Sequence, residues 1–367
     1  MNYKALLFLC ITVGIFSCKP KEKTAAVNYD NFLNEYIDST VSPGEDFFKF
    51  AMGKWLKNNP IPESERSWGI WTLVNEENYS RIRKINEEAA ANTKAKKGSN
   101  EQKIGDFWFT GMDTVTIEKQ GITPLKPELD KIAAISDPQG VIKMASYLHT
   151  MQVQPLFGNY IFQDEKNSNK FRLHFYQGGI GLPDRDYYFD KDERTVTIRN
   201  EYVKHISKMF QLTGIDAATA DTYAQTIMKM ETDFAGASRK LADLRDPYAN
   251  YNSMAVADVN KLCPAINWES FLADAGIKNI DTIIVGQPEF FKQLNTSLTK
   301  ESVDNWKIYL QWNLINAYAD RLSSDFDKEH FHFYGTILNG TKEQRARWKR
   351  VLDAEEDAMG FLLGQLY

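Results

Sequence analysis

Cysteine is scarce: the 367-residue sequence holds 3, at Cys10, Cys18 and Cys263. A secreted protein stapled by disulfides needs more, and a chain of this length buries an adequate core without them. No apolar run reaches the roughly 20 residues that a bilayer-spanning helix needs. Nor is there a basic block. Lys and Arg number 44 against 49 Asp and Glu, a net charge of −5, which gives no electrostatic footprint for DNA or RNA. Histidine is sparse too, with 5 in the chain. None of them begins the His-Glu-x-x-His pair that holds zinc on one helix face. What is present is 43% hydrophobic and 25% charged residues, the globular range, outside the disordered, collagenous and multi-spanning classes. The length leaves two lobes or one large helical body open.

The first residues read as a targeting segment. Lys4 supplies a positive n-region, and Ala5 to Phe16 form an apolar run suited to a signal peptide. The run ends Ile15-Phe16-Ser17-Cys18. This resembles a bacterial lipobox, whose Cys is acylated and becomes the new N-terminus. Polar Lys19-Pro20-Lys21-Glu22-Lys23 begins directly after it. The expected division is a lipoprotein signal peptide over 1–17, a tether over 18–28 behind lipidated Cys18, and a body over 29–367. That implies export and a membrane anchor facing the periplasm or the cell surface. An ordinary secretory signal with a chance Cys is the alternative. Cys263, alone in the body, reads as a buried small hydrophobe.

Most of the body has helical period. Asp46 to Lys57 places Phe47, Phe50, Ala51 and Trp55 at three-to-four spacing after Ser42-Pro43. Gly69 to Ala91, Glu101 to Met112, Asp216 to Asp243 and Ser302 to Leu322 read as amphipathic helices, the last rich in aromatics. Thr341 to Leu366 reads as one more, with Thr341 and Gln344 spaced as a capping box. Leu156 to Gln163 and Lys170 to Tyr176 alternate around Asp164 to Asn169 and predict a β-hairpin; Asp281 to Val285 predicts one short strand. The fold class is mainly α: a large multi-helix body with a small β-hairpin. The last helix is still in full period when the sequence stops, which reads as a chain cut short, or else as a terminal helix docked on the body.

The residues alone offer no catalytic constellation. His330-Phe331-His332 could present two imidazoles on one strand face, but no third ligand is near and the flanking aromatics favour packing. Gly335 to Lys342 resembles a phosphate loop with Lys and hydroxyl in the wrong order. Gly179-Ile180-Gly181 lacks the third Gly and the helix start of a dinucleotide fingerprint. Arg185, between Asp184 and Asp186, reads as a turn whose acids pair with Arg and cap local amides.

Three ordered landmarks carry a resemblance. They are Pro43-Gly-Glu-Asp-Phe-Phe-Lys-Phe-Ala-Met-Gly-Lys-Trp55 with Pro60-Ile-Pro62 and Ser67-Trp68-Gly69; then Gly181-Leu-Pro-Asp-Arg-Asp-Tyr-Tyr188; then Phe333-Tyr-Gly335 with Gly340-Thr-Lys-Glu-Gln344 and Arg347-Trp348-Lys349-Arg350. Over residues 29–367 the chain resembles the N-terminal portion of the neprilysin and endothelin-converting-enzyme family of zinc metallopeptidases. The resemblance implies the lobe that caps a cavity admitting short peptides. It implies zinc in the complete enzyme, bound by ligands that this chain lacks, and a zinc-bearing catalytic domain as partner. It also implies that this chain alone has no catalytic residues and no metal. In that family an Arg before the aromatic-Gly pair grips a peptide's free carboxylate. Here Ser67 stands in that place, with Arg66 one residue earlier; these two are the candidate substrate-binding residues. The missing Arg favours cleavage within a peptide over preference for a free C-terminus, unless Arg66 points into the cavity. Gly44 stands where vertebrate members have Cys, so that disulfide is absent. Asn316-Ala317-Tyr318 looks like the family's substrate-backbone motif but lies too far upstream. The expected function is the substrate-admitting domain of a zinc endopeptidase, with peptides as ligands. A non-catalytic peptide-binding lipoprotein is the alternative, and a glycan-capturing lipoprotein trails both.

Overall fold

The computed structural model describes residues 33–367. The signal peptide, Cys18 and the tether lie outside the described residues. The chain divides into two units, one ending at Pro62 and one running from Glu63 to Tyr367.

The first unit carries helix α1 (Phe47–Asn58). Its cap is Asp46, whose Oδ1 accepts the Lys49 amide at 2.9 Å and so satisfies a donor with no partner inside the helix. Asp38 fastens the helix to the preceding chain. It accepts from the Thr40 amide and from Lys57 Nζ at 2.6 Å, and these bonds hold its carboxyl down at about 2.

The second unit is built from two helical groups and a sheet. Helices α2 (Ile70–Ala91) and α3 (Asn100–Met112) form a hairpin, and α15 (Arg347–Leu366) returns from far along the chain to pack on both. Ala89, Ile104 and Leu363 make one small core there; Trp108, Val351 and Leu352 make another. Close packing depends on Gly105, where a Cβ would sit 2.6 Å from the Ala89 carbonyl oxygen. The larger core gathers α5 (Lys126–Ala133), α6 (Pro138–Thr150), α8 (Glu193–Leu212), α9 (Ala217–Ala237), α12 (Pro288–Lys300) and α13 (Val303–Tyr318). Short helices α4 (Thr114–Gln120), α7 (Asp186–Phe189), α10 (Val256–Leu262), α11 (Trp268–Asp274) and α14 (Ser324–His330) link these.

The sheet has strand order β1-β2-β4-β3. Strands β1 (Gly158–Asp164) and β2 (Asn167–Tyr176) form the expected hairpin, with Tyr160 opposite His174. Its turn is tighter than the sequence suggests. Asp164 Oδ1 accepts the Lys166 amide at 2.9 Å, closing the chain back after two residues. Strand β4 (Thr282–Val285) confirms the short strand and runs parallel to β2. Strand β3 (Asn252–Ala255), antiparallel to β4, has no alternation to announce it. Leu173 and Phe175 of β2 point into the main core, where Phe157, Trp268 and Phe291 surround Phe175.

Three expectations are corrected. Helix α13 is not amphipathic: Trp306, Tyr309, Leu310, Trp312, Leu314 and Ile315 are buried around its circumference, the pattern of a helix inside a core. Thr341 and Gln344 form no capping box, because α15 begins only at Arg347. Thr341 Oγ1 instead donates to the Gly335 carbonyl, and Gln344 Nε2 to Asp327. The segment around His330 and His332 is helical, not a strand. Residues Phe331–Leu338 form a π-helix continuing from α14, so residues two apart diverge. His330 packs on Tyr334 and His332 faces solvent.

Candidate cleft and its buried anchor

The second landmark closes on one buried carboxylate, and the third reaches it through the Gly181 carbonyl. Glu231, on α9, is 1% exposed. It accepts from the Tyr188 hydroxyl at 2.6 Å, the Tyr202 hydroxyl at 3.0 Å, Trp312 Nε1 at 3.2 Å and the Gly181 amide at 3.1 Å. Burial pushes its pKa up to about 7 although all four donors pull the other way. A side chain at position 181 has no room, since a Cβ there would lie 1.9 Å from the Tyr202 hydroxyl. The π-helix joins this network through Tyr334, whose hydroxyl accepts from Asn316 Nδ2 at 2.8 Å and reaches the Gly181 carbonyl at 3.4 Å. The loop Gly181 to Tyr188 is thus an internal strut. Within it Asp184 Oδ1 accepts the Asp186 amide at 2.8 Å, as a turn residue does. The expected pairing of its acids with Arg185 is replaced by other contacts: Arg185 lies over Phe189, and Asp186 faces Lys240 at 3.7 Å.

On the outer side of the π-helix lies a cavity of about 480 Å³. Tyr334, Gly335 and Asn339 line it from the π-helix and the residue after it, and Arg350 and Asp353 from α15. Arg66 lines it from the segment before α2. Arg66 lies at a bend ahead of α2, which starts at Ile70, so neither Arg66 nor Ser67 is helical. Arg66 Nη1 donates to Asn339 Oδ1 at 2.9 Å. Ser67 is exposed and does not line the cavity.

Other arginines here are already matched with carboxylates. Arg350 forms a fork on Asp327, at 2.9 and 3.0 Å. Arg345 donates to Asp353 at 2.6 Å, lies 3.3 Å from Glu65 and stacks over Tyr79. Among the described residues the partner of Arg66 is a neutral amide, which leaves its charge available to an incoming carboxylate. A second cavity, of about 440 Å³, adjoins the first; Asp320, Arg321, Arg350 and Ala354 line both.

The remaining histidines are packed into the protein. His149 shares a hydrogen bond of 2.8 Å with Asn159, and burial lowers its pKa to about 4. His174 stacks on Tyr160, and His205 pairs with Glu329 at 2.9 Å beneath Phe333. Among the described residues, no three His, Cys, Asp or Glu side chains are gathered as metal ligands. These residues therefore do not fit a zinc ion. Cys263 is buried, and its thiol is pushed up to about 12 by that burial.

Comparison with known proteins agrees with the three landmarks. The family model described as peptidase family M13, in its N-terminal form, matches residues 43–367. The chain belongs to peptidase family M13. Endothelin-converting enzyme 1 of Rattus norvegicus is 28% identical over 355 residues, covering 94% of this chain and 46% of that protein. Neprilysin-3 of Drosophila melanogaster is 27% identical over 352 residues, covering 90% of this chain and 44% of its own length. Among solved structures, the Mycobacterium tuberculosis zinc metalloprotease Zmp1, in complex with inhibitor, superposes with a TM-score of 0.86 at 30% identity. That match covers 91% of this chain and 51% of the protease. The chain thus spans about half the length of the M13 relatives it matches. Its mainly helical fold with a small sheet is that of the M13 N-terminal portion.

Proposed function

We propose that this chain is the substrate-admitting N-terminal domain of a zinc-dependent M13 endopeptidase that hydrolyses short peptides. The observation that carries this reading is Arg66: in an M13 chain it lines the cavity beside the π-helix, with no carboxylate partner among the described residues. Ser67 is the residue aligned with the family's carboxylate grip, yet Arg66 offers the planar fork that binds a carboxylate. The chain's own role is to bind and orient the peptide. Asn339 holds Arg66 at the rim, and the Tyr334–Gly181–Glu231 network fixes the π-helix behind it. Zinc, supplied by a catalytic domain elsewhere, polarises the scissile bond in such enzymes. Cys18 is proposed as the lipid anchor that holds the protein at the outer side of a bacterial membrane.

Two measurements test the reading. Purified chain dialysed against zinc is expected to retain no stoichiometric metal and to cleave no peptide; one zinc per chain with chelator-sensitive cleavage overturns the division of labour. Arg66→Ala is expected to weaken binding of a tripeptide with a free carboxylate by roughly tenfold. Unchanged affinity would remove Arg66 from the site.

A further inference from the structure

Arg347, the first residue of α15, is half-buried at the second cavity. Its Nε donates to the Gly111 carbonyl at 2.8 Å, and among the described residues no carboxylate pairs with it. Acids are also present, and Asp113 and Asp320 line the same cavity, but each has another bonding partner. Asp327 is forked by Arg350. Asp113 accepts from both the amide and the hydroxyl of Thr116. Asp320 lies 3.8 Å from Arg321 Nε. Burial and the neighbouring Arg350 charge hold the Arg347 pKa below the ordinary arginine value. An incompletely compensated guanidinium beside a cavity calls for an anion.

We propose that the second cavity is a subsite for an acidic peptide side chain, glutamate foremost, with Arg347 as its principal contact. This rests on the peptide-binding reading of the adjoining cavity. The walls choose among anions. Phe107, Ile117 and Val351 line the cavity together with Arg321, Arg347 and Arg350. An inorganic anion uses the charge but leaves the apolar wall wet. A neutral side chain does the reverse. Glutamate has methylenes for the wall and a planar carboxylate for the fork. Because the two cavities share Asp320, Arg321, Arg350 and Ala354, one extended peptide can reach Arg66 and also place a neighbouring side chain against Arg347.

The test is calorimetric titration of the purified chain with acetyl-Ala-Glu-Ala-amide, acetyl-Ala-Gln-Ala-amide and acetate. The glutamate peptide is expected to bind at least roughly tenfold more tightly than its glutamine twin, with the ratio shrinking as salt rises. Arg347→Gln is expected to erase the ratio and Arg347→Lys to keep part of it. Arg66→Ala leaves the ratio intact. Equal binding of the two peptides overturns the subsite while leaving the peptide cleft standing. Acetate binding as tightly as the glutamate peptide, with no binding of the glutamine peptide, overturns both and leaves a plain anion site. Should Arg347→Gln fail to fold, wild-type chain still decides: magnetization transfer between the glutamate methylenes and the Val351 methyls is expected, and its absence in the bound state refutes the placement.

Discussion

Glu231 gathers four donors in a place where water cannot replace them, so its removal is felt four times over. Glu231→Gln turns an amide towards hydroxyls and N–H groups that need an acceptor. We expect a loss of about 2–4 kcal/mol, read from urea midpoints. A loss under half that would show the network to be dispensable. Glu355, on α15, presents a different case. It is fully buried beside Asn86, and among the described residues no other group bonds to its carboxyl. Burial raises its pKa to about 7, opposed only by Asn86. A protonated Glu355 supplies the donor that Asn86 Oδ1 lacks. The sign follows from its raised folded pKa: the contribution is complete below the ordinary carboxyl value of 4.5 and is lost as pH climbs through about 7. Stability at pH 5 is therefore expected to exceed that at pH 8, with Glu355 contributing about 3 kcal/mol. Glu355→Gln keeps a neutral donor and should flatten much of that profile; an unaltered profile would refute it. Neither glutamate stands out in the sequence, although a signal exists. Glu231 follows Ala224 and Ile227 at seven and four residues along the buried face of α9. An acid in such a row is either a register error or a network, and only the partners from distant segments decide which.

Elements that declare themselves locally were legible. Helix α1 has its three-to-four apolar spacing, and the hairpin has its alternation on both sides of a polar turn. What could not be read depends on partners far along the chain. Strand β3 exists because β4 offers it an edge, and β4 runs parallel to β2 through a long crossover. The end of α9 at Ala237 falls short of the expected Asp243 because the Arg239 amide leaves to bond Gln177 Oε1 at 2.7 Å. Arg66 is a candidate in the sequence, but its access to a cavity rests on the bend that the chain makes there before α2 starts at Ile70. Asn339, its partner, carries no motif at all. Two substitutions probe the joints between elements. Gly105→Ala gains helix propensity but drives a methyl into the Ala89 carbonyl, so the clash should win, at about 1–3 kcal/mol. Asp327→Ala strips Arg350 of its forked partner and should lower stability by about 3 kcal/mol or more. Thermal unfolding of each variant measures both, and a midpoint at or above that of the wild type would contradict the packing described.

Among the described residues, apolar surface is unevenly distributed. Ile70, Trp71, Leu73 and Val74 lie exposed in succession along the start of α2, with Trp71 82% exposed. A patch of that kind favours association of the chain with itself. Trp71→Ser combined with Val74→Ser is expected to raise the soluble concentration while moving stability by no more than about 0.5 kcal/mol. Sedimentation and thermal scans would show it, and unchanged self-association would place the cause elsewhere. The return of α15 to the α2–α3 hairpin has a further consequence, one of timing. The ribosome delivers α2 and α3 early, but the helix that completes their core follows more than two hundred residues later. At roughly 5–20 residues per second the hairpin waits on the order of 10–50 seconds with Ile104 and Trp108 uncovered. The main body can fold in that interval, so the hairpin is the part of this unit that a nascent-chain chaperone would meet open. A polypeptide arrested just before Arg347 should carry a finished body and an unfinished hairpin, cut first by protease between Ile70 and Met112.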